Sequence, residues 1–214
     1  MSDMIEAALS YIEQGFKVFP VKPDKKPLTP HGLKDATQTE SRAREYWTRW
    51  PDAGIALVSD GLLVLDFDVK NDGLKSKAAI EVRYGSLPRT RKHRTGGGGE
   101  HWIYRNPNGA NVRNTVSFAG YPGVDLRANG GYIVVPPSPH KSGRRYEVLD
   151  DNEIAPAPDW LMNLATKKRI ETRQTSSHSE LIPEGERNSR LTSIAGSMRR
   201  QGMSHESIEA APVS

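Results

Sequence analysis

An α+β fold built on a mainly antiparallel sheet is what the sequence predicts, and three observations carry that expectation. Short apolar runs crowd the stretch from Lys92 to Val135, with glycines between them and no room for helices. Asp60-Gly61 separates two further apolar runs, the best short hairpin signal in the chain. The order of elements also lacks the regular strand–helix alternation of a parallel doubly wound sheet.

Asp3, with Glu6 three residues on, reads as a capping box opening a helix that stops at Gly15. Phe16 to Val21 is a short strand, followed by a Pro/Lys-rich loop from Lys22 to Pro30. A second helix runs from about Thr39 to Trp50 and ends at Pro51. Gly54 to Ser59 and Leu62 to Asp68 form the expected hairpin, and a helix follows from Gly73 to Tyr84. The later strands are expected at Lys92 to Thr95, Glu100 to Arg105, Val112 to Phe118, Val124 to Arg127 and Tyr132 to Val135. The fold closes near Trp160 to Lys168. Thr172 to Ser179 is polar and reads as a linker. A helical pair is expected from Pro183 onward, with Leu191, Ile194, Ala195 and Met198 on one face and Gly202 as its stop. The division expected is therefore 1–170, a linker over 171–180, and a small helical module over 181–214.

The 214 residues suffice for one sizeable core plus an appendage. No stretch approaches the roughly 20 apolar residues of a membrane span. The N-terminus lacks the basic-then-apolar order of a secretion signal. With no cysteine there is no disulfide framework, thiolate zinc site or cysteine nucleophile, and a cytoplasmic location is expected. The net charge is +4, and basic residues are bunched at Arg89 to Arg94, Arg144-Arg145, Lys167 to Arg169 and Arg199-Arg200. Such bunches suit a polyanionic partner, although any one of them can equally be a solvated face.

Val64-Leu65-Asp66-Phe67-Asp68 is the sharpest chemical feature. Strand residues two apart share a face at about 7 Å, so Asp66 and Asp68 project together while Leu65 and Phe67 enter the core. Two neighbouring carboxylates at the end of an apolar strand suit a hard divalent cation, Mg²⁺ or Mn²⁺. Solvated turn aspartates are the alternative, since Lys70, Asn71, Asp72 and Gly73 follow. Asp125, in Gly123-Val124-Asp125-Leu126-Arg127, would complete a cluster of three acids if its strand lies beside the first. Thr95 to Glu100 holds four successive glycines, whose backbone N–H groups can approach phosphate, and His101 follows them. Pro136-Pro137-Ser138-Pro139-His140-Lys141 then brings a hydroxyl, an imidazole and an ammonium within four residues, in a contact loop or a solvent loop.

In this order the motifs resemble the bifunctional DNA primase/polymerase N-terminal domain, the prim-pol branch of the archaeo-eukaryotic primase superfamily. The resemblance covers nearly all of residues 4–165. It begins with Gly15-Phe16-Lys17-Val18-Phe19-Pro20 and Lys25-Lys26-Pro27, and takes in Trp47 to Pro51. The Asp66/Asp68 pair, the glycine run ending in His101, Val124 to Arg127, and Gly130-Gly131-Tyr132 leading to His140 complete it. It implies an RRM-like catalytic sheet with an N-terminal α/β subdomain. Asp66, Asp68 and Asp125 become the catalytic metal ligands, and His101 a triphosphate contact. Gly97, Gly98, Arg127, Ser138 and His140 become residues of the nucleotide site. Related segments often carry a serine two positions before the histidine. Here that position is Gly99, whose backbone N–H is the expected substitute.

Ile182 to Asn188, with Leu191 and Ala195, is similar to the helical module that follows prim-pol domains in phage and plasmid replication proteins. The resemblance implies primer synthesis and extension on single-stranded DNA from NTPs or dNTPs. It also implies a helicase domain or subunit as partner, and a chain that is a piece of a longer primase-helicase. Three other readings compete. A phosphotransferase of the haloacid dehalogenase type also uses Asp-x-Asp, but in a parallel sheet. A metal-dependent nuclease would use clustered acids, and a non-catalytic single-strand-binding module would need none of them.

Overall fold

The computed structural model describes residues 3–166. The predicted linker and the helical pair after Pro183 lie outside the described residues, as do the basic bunches at Lys167 to Arg169 and Arg199-Arg200.

The elements run α1 (Asp3–Glu13), β1 (Val18–Val21), α2 (Glu40–Arg49), β2 (Gly54–Val58), β3 (Leu62–Phe67) and α3 (Gly73–Tyr84). Then come β4 (Arg91–Arg94), β5 (Glu100–Arg105), β6 (Val124–Arg127), β7 (Tyr132–Val135), β8 (Glu147–Asp150) and α4 (Asp159–Thr166). The fold is α+β, with two sheets whose strand pairs are all antiparallel. One sheet has the order β1-β2-β7 and the other β6-β3-β5-β4-β8. The haloacid dehalogenase alternative therefore lacks the parallel sheet it requires. Among the described residues no helix is long and apolar enough to cross a membrane.

Alternation along β3 explains how the layers are joined. Leu62 and Val64 enter a core shared with Met4, Leu9 and Trp47 of α1 and α2 and with Ile55 and Leu57 of β2. Leu63, Leu65 and Phe67 enter a second core with Ile80 of α3 and Leu161 of α4. Ala56 and Val58 of β2 pack in a third, with Phe19, Val134 and Tyr146. Burial on both faces is why Ile55 to Val58 reads as an unbroken apolar run. Phe67 is fully buried against the edge of Trp102, with ring centroids 6.4 Å apart. Truncating it would cost about 3–5 kcal/mol, and it fixes the strand end that carries Asp66 and Asp68.

Three sequence expectations are corrected here. The turn at Asp60-Gly61 exists, with Gly61 at φ 74°, but β2 and β3 do not pair and belong to different sheets. The turn's polar groups bind another segment instead. Ser59 N–H donates to Gly131 O, Gly61 N–H to Asn129 Oδ1, and the Asp60 carboxylate accepts Gly130 N–H. Val112 to Phe118 is not a strand; only Arg113 and Thr115 make isolated bridges, and the 3₁₀ turn Phe118–Gly120 follows. Asp3 is itself within α1, so it does not stand before the helix as a cap. The sequence reading also missed β8, whose outer face is exposed and whose acids disguise it as a loop.

Those acids decide the fate of one basic bunch. Lys92 pairs with Asp150 at 3.3 Å, Arg91 with Asp151 at 3.4 Å and Arg94 with Glu147 at 4.0 Å. His93 is buried. Most of the charge at Arg91 to Arg94 is thus met within the fold.

Candidate active site

Asp66 sits next to the end of β3, a strand hydrogen-bonded on both sides, and this pairing sets its neighbours. Asp66 faces Asp125 of β6 on one side and His101 of β5 on the other, while His101 in turn faces His93 of β4. Directly opposed residues of an antiparallel sheet share a face. Asp125, Asp66, His101 and His93 therefore form a row across four strands. The neighbour relation on which Asp125 depended is present.

Asp68 lies just past the strand, at φ −89° and ψ 116°. Its carboxylate accepts the Lys70 N–H at 3.0 Å and the Asn71 side-chain amide at 2.9 Å, capping a 3₁₀ turn. Asp125 accepts the Ser117 N–H at 3.1 Å and the Arg127 guanidinium at 2.7 Å. The Asp66 carboxylate accepts no hydrogen bond among the described residues; His101 Nε2 stands 3.5 Å from its Oδ1. Burial pushes the Asp66 carboxyl above its usual range, against the opposing fields of Lys25 and Arg127, while Asp68 adds to the rise.

All three acids line one open cavity of about 670 Å³, with Lys25, Lys70, Gly97, Arg127, His140 and Lys141 also on its walls. A second open cavity of about 270 Å³ shares Lys25, Asp66 and Arg127 with it and is also lined by His101, Tyr132 and Tyr146. The donor set fits a hard divalent cation. It consists of carboxylate oxygens at one cavity, and one of them, on Asp66, is half-buried and accepts no hydrogen bond among the described residues. Among the described residues no three such groups are already gathered as ligands. Asp68 is instead turned to the Lys70 N–H and the Asn71 side-chain amide, and Asp125 to the Ser117 N–H and Arg127.

His101 is 3% exposed, and burial lowers its pKa to about 3, so it is neutral. It reaches the smaller cavity and not the larger one. His93 behind it is also held near 3, by burial first and then by His101 and Arg91. No local pattern marks this second histidine, because its burial depends on strand order.

The glycine run is a tight turn. Gly98 N–H donates to Thr95 O at 2.8 Å, and Gly99 N–H donates to Thr95 Oγ1 at 3.0 Å. The Gly99 N–H expected to replace a serine hydroxyl is therefore already engaged. A Cβ on Gly99 would stand 2.1 Å from the Phe67 carbonyl oxygen, which excludes a serine there. Gly97 lines the larger cavity; Gly98, at φ 95°, instead lies against the Arg144 guanidinium. Ser138 is fully buried away from both cavities and accepts the Ile55 N–H at 2.7 Å. His140 is at the rim, where its Nδ1 is occupied by Ser142. Partial burial and the nearby cations Lys25, Lys141, Arg144 and Lys70 lower its pKa.

Residues that sequence reasoning passed over are Lys25, Tyr132 and Tyr146. Lys25 was legible as part of a Pro/Lys-rich loop and of the Lys25-Lys26-Pro27 segment of the resemblance, without a role at the site. The two tyrosines read as ordinary strand and core residues in the sequence, and only the fold places them on a cavity wall.

The arrangement joins a row of acids to a set of cations, the polarity needed to hold divalent metal and phosphate together. No curated protein matches the chain. The family model for the primase C terminal 1 module matches residues 176–211. That for the bifunctional DNA primase/polymerase N-terminal domain matches residues 8–160. The chain belongs to the bifunctional DNA primase/polymerase (Prim-Pol) family, which supports a DNA primase/polymerase function in general terms.

Proposed function

We propose that the chain is a nucleotidyltransferase that makes and extends primers on single-stranded DNA from NTPs or dNTPs. The observation that carries this reading is the direct opposition of Asp66 and Asp125 across β3 and β6, at a cavity also lined by Asp68 and four cations. Asp66, Asp68 and Asp125 would hold Mg²⁺ or Mn²⁺, which when bound makes a 3′-hydroxyl more acidic and offsets charge on departing pyrophosphate.

The remaining work falls to the chain's own side chains. Arg127, tied to Asp125, orients that carboxylate and offers its other N–H donors to phosphate oxygens. His101, neutral, packs against Asp66 and presents an uncharged edge to the smaller cavity. Gly97 and His140 border the larger cavity, as expected of nucleotide contacts. Gly98 acts by shaping the turn beside Arg144, and Ser138 by fixing β2 under the loop that carries His140. Residues 1–170 would then be the catalytic domain, 171–180 a linker and 181–214 the primase C-terminal module. A helicase domain or subunit and a cytoplasmic setting complete the proposal.

The test is nucleotide incorporation on primed and unprimed single-stranded DNA with Mg²⁺ or Mn²⁺, comparing wild type with Asp66→Ala/Asp68→Ala. Metal-dependent products that vanish in the double variant are expected. Absence of products from wild type on both templates, with DNA binding intact, would overturn the enzymatic reading in favour of a binding module.

A further inference from the structure

Helix α2 buries one face and leaves the other without a task in the reaction. Ala43 and Trp47 enter the first core, while Arg42, Glu45 and Arg49 are exposed. Residues 42 and 46, and then 50 at the C-cap, recur every four positions and therefore stand one above another. The Arg42 guanidinium carbon lies 4.7 Å from the Tyr46 ring centroid, and the Tyr46 and Trp50 centroids are 6.1 Å apart. The Arg49 guanidinium carbon then lies 4.7 Å from the Trp50 centroid. Four flat groups thus follow one another, with an exposed arginine at each end.

These groups line an open cavity of about 280 Å³ that shares no residue with the two cavities at Asp66. Its other wall is Thr29 to His31 with Asp35, and the Tyr46 hydroxyl ties that wall to α2 by donating to the Asp35 carbonyl at 2.7 Å. Most charges here are already matched. His31 is held by Asp35 at 3.1 Å and Arg42 by Glu45 at 2.6 Å, whereas Arg49 forms no ion pair among the described residues. This balance selects the ligand. Two carboxylates and the C-terminal end of α2 disfavour a phosphate inside the cavity. A half-buried indole beside a guanidinium plane instead favours a flat, uncharged ring with N–H groups of its own, and a nucleobase is such a ring. Position suggests what carries it. Thr29 stands four residues after Lys25, which lines both cavities at Asp66, so the span between them is at most about 14 Å. A strand that leaves the acid cleft is within reach.

We propose that this cavity is a stacking pocket for one base of the single-stranded DNA, outside the catalytic cleft, with Trp50 and Arg49 as its contacts. This rests on the polymerase reading for its substrate and gives a task to α2, which the acid, glycine and histidine motifs leave untouched. The base stacks at the Trp50–Arg49 end, because Glu45 already neutralises the Arg42 end. Arg49, exposed and unpaired, can take the flanking phosphate at the rim while its plane stays on the indole.

The experiment measures binding of the full chain, without divalent metal, to a labelled oligothymidylate of about 16 nucleotides and to an abasic strand of the same length. Trp50→Leu is the informative variant, because it keeps an apolar group against the first core and removes the π face. Its affinity for oligothymidylate should fall about 5- to 100-fold, while the abasic strand binds as it does to wild type. Trp50→Phe, which keeps a flat ring, should stay within about 3-fold of wild type. Arg49→Ala, at an exposed position, should lose about 3- to 10-fold and lower the salt dependence by about one phosphate contact. Thermal melts of each variant separate these losses from unfolding. Undiminished oligothymidylate affinity in Trp50→Leu, or an equal loss on the abasic strand, would overturn the proposal and leave this face to a protein partner. If wild type makes no product yet the binding pattern holds, the polymerase reading fails and the stacking pocket stands. If wild type polymerises and Trp50→Leu binds normally, the pocket alone fails.

Discussion

His101 Nε2 stands 3.5 Å from Asp66 Oδ1, at directly opposed positions of β5 and β3. The imidazole is buried and neutral, so it brings no positive charge to its neighbour. Asp66 is itself desolvated and pushed upward, and the fields that relieve it come from Lys25 and Arg127. Its carboxylate is thus a cost to the folded state at neutral pH, which is expected of a group retained for binding a cation.

Asp66→Asn removes that cost while keeping shape. Melting temperature is expected to stay level or rise, while metal-dependent incorporation falls by roughly 100- to 1,000-fold or more. Paired thermal melts and primer-extension rates check this; a large drop in melting temperature would show instead that the acid is structural.

Stability should fall in acid because of the histidine row. His93 and His101 ordinarily titrate near 6.5, but in the fold both are held near 3. Between those values the unfolded chain takes up protons that the folded chain refuses. The stability is therefore fully present above about pH 6.5 and declines toward about pH 3, on the order of 1 kcal/mol per pH unit for each histidine. Urea melts along a pH series should show the slope, and His93→Leu should reduce it by roughly half.

Gly99→Ser introduces a Cβ 2.1 Å from the Phe67 carbonyl oxygen, a backbone atom that cannot swing aside. A loss of about 3 kcal/mol or more is expected in denaturant melts. At Gly97 the nearest atom to a new Cβ is Thr95 Oγ1 at 3.6 Å, so Gly97→Ala should fold normally and reveal itself in nucleotide binding.

Ser138→Ala leaves the buried Ile55 N–H without its acceptor. A destabilisation of about 1–3 kcal/mol is expected, with KM for nucleotide unchanged. Chemical denaturation read beside steady-state kinetics separates the two effects.

Much of the local structure was legible because local chemistry decides it. α3 spans Gly73–Tyr84, as its pattern predicts, and β5, β6 and β7 match their apolar runs. The carboxylate at position 125 was legible as an acid in an apolar strand, but its place opposite Asp66 follows from strand order, which no local pattern encodes. The same gap explains the Asp60-Gly61 turn. Its residue types permit a hairpin, yet its hydrogen bonds go to residues 129–131, and each flanking strand finds a partner elsewhere. Val112 to Phe118 has strand-like residues, but Ser117 at φ 49° and Ala119 at φ 53° take the chain out of extended geometry. Lys25 was hidden for a third reason, since a lysine in a polar loop carries no mark of which way it faces.

β3 is gripped by β5 on one side and β6 on the other along most of its length. Asp66 and Asp125 are consequently set by a ladder of backbone hydrogen bonds, and no loop has to close to bring them together. For an enzyme that adds one unit after another, such a site is an anvil. On the proposed polymerase reading, the growing strand would have to ratchet past it after every addition, because the backbone that carries the carboxylates is not free to follow.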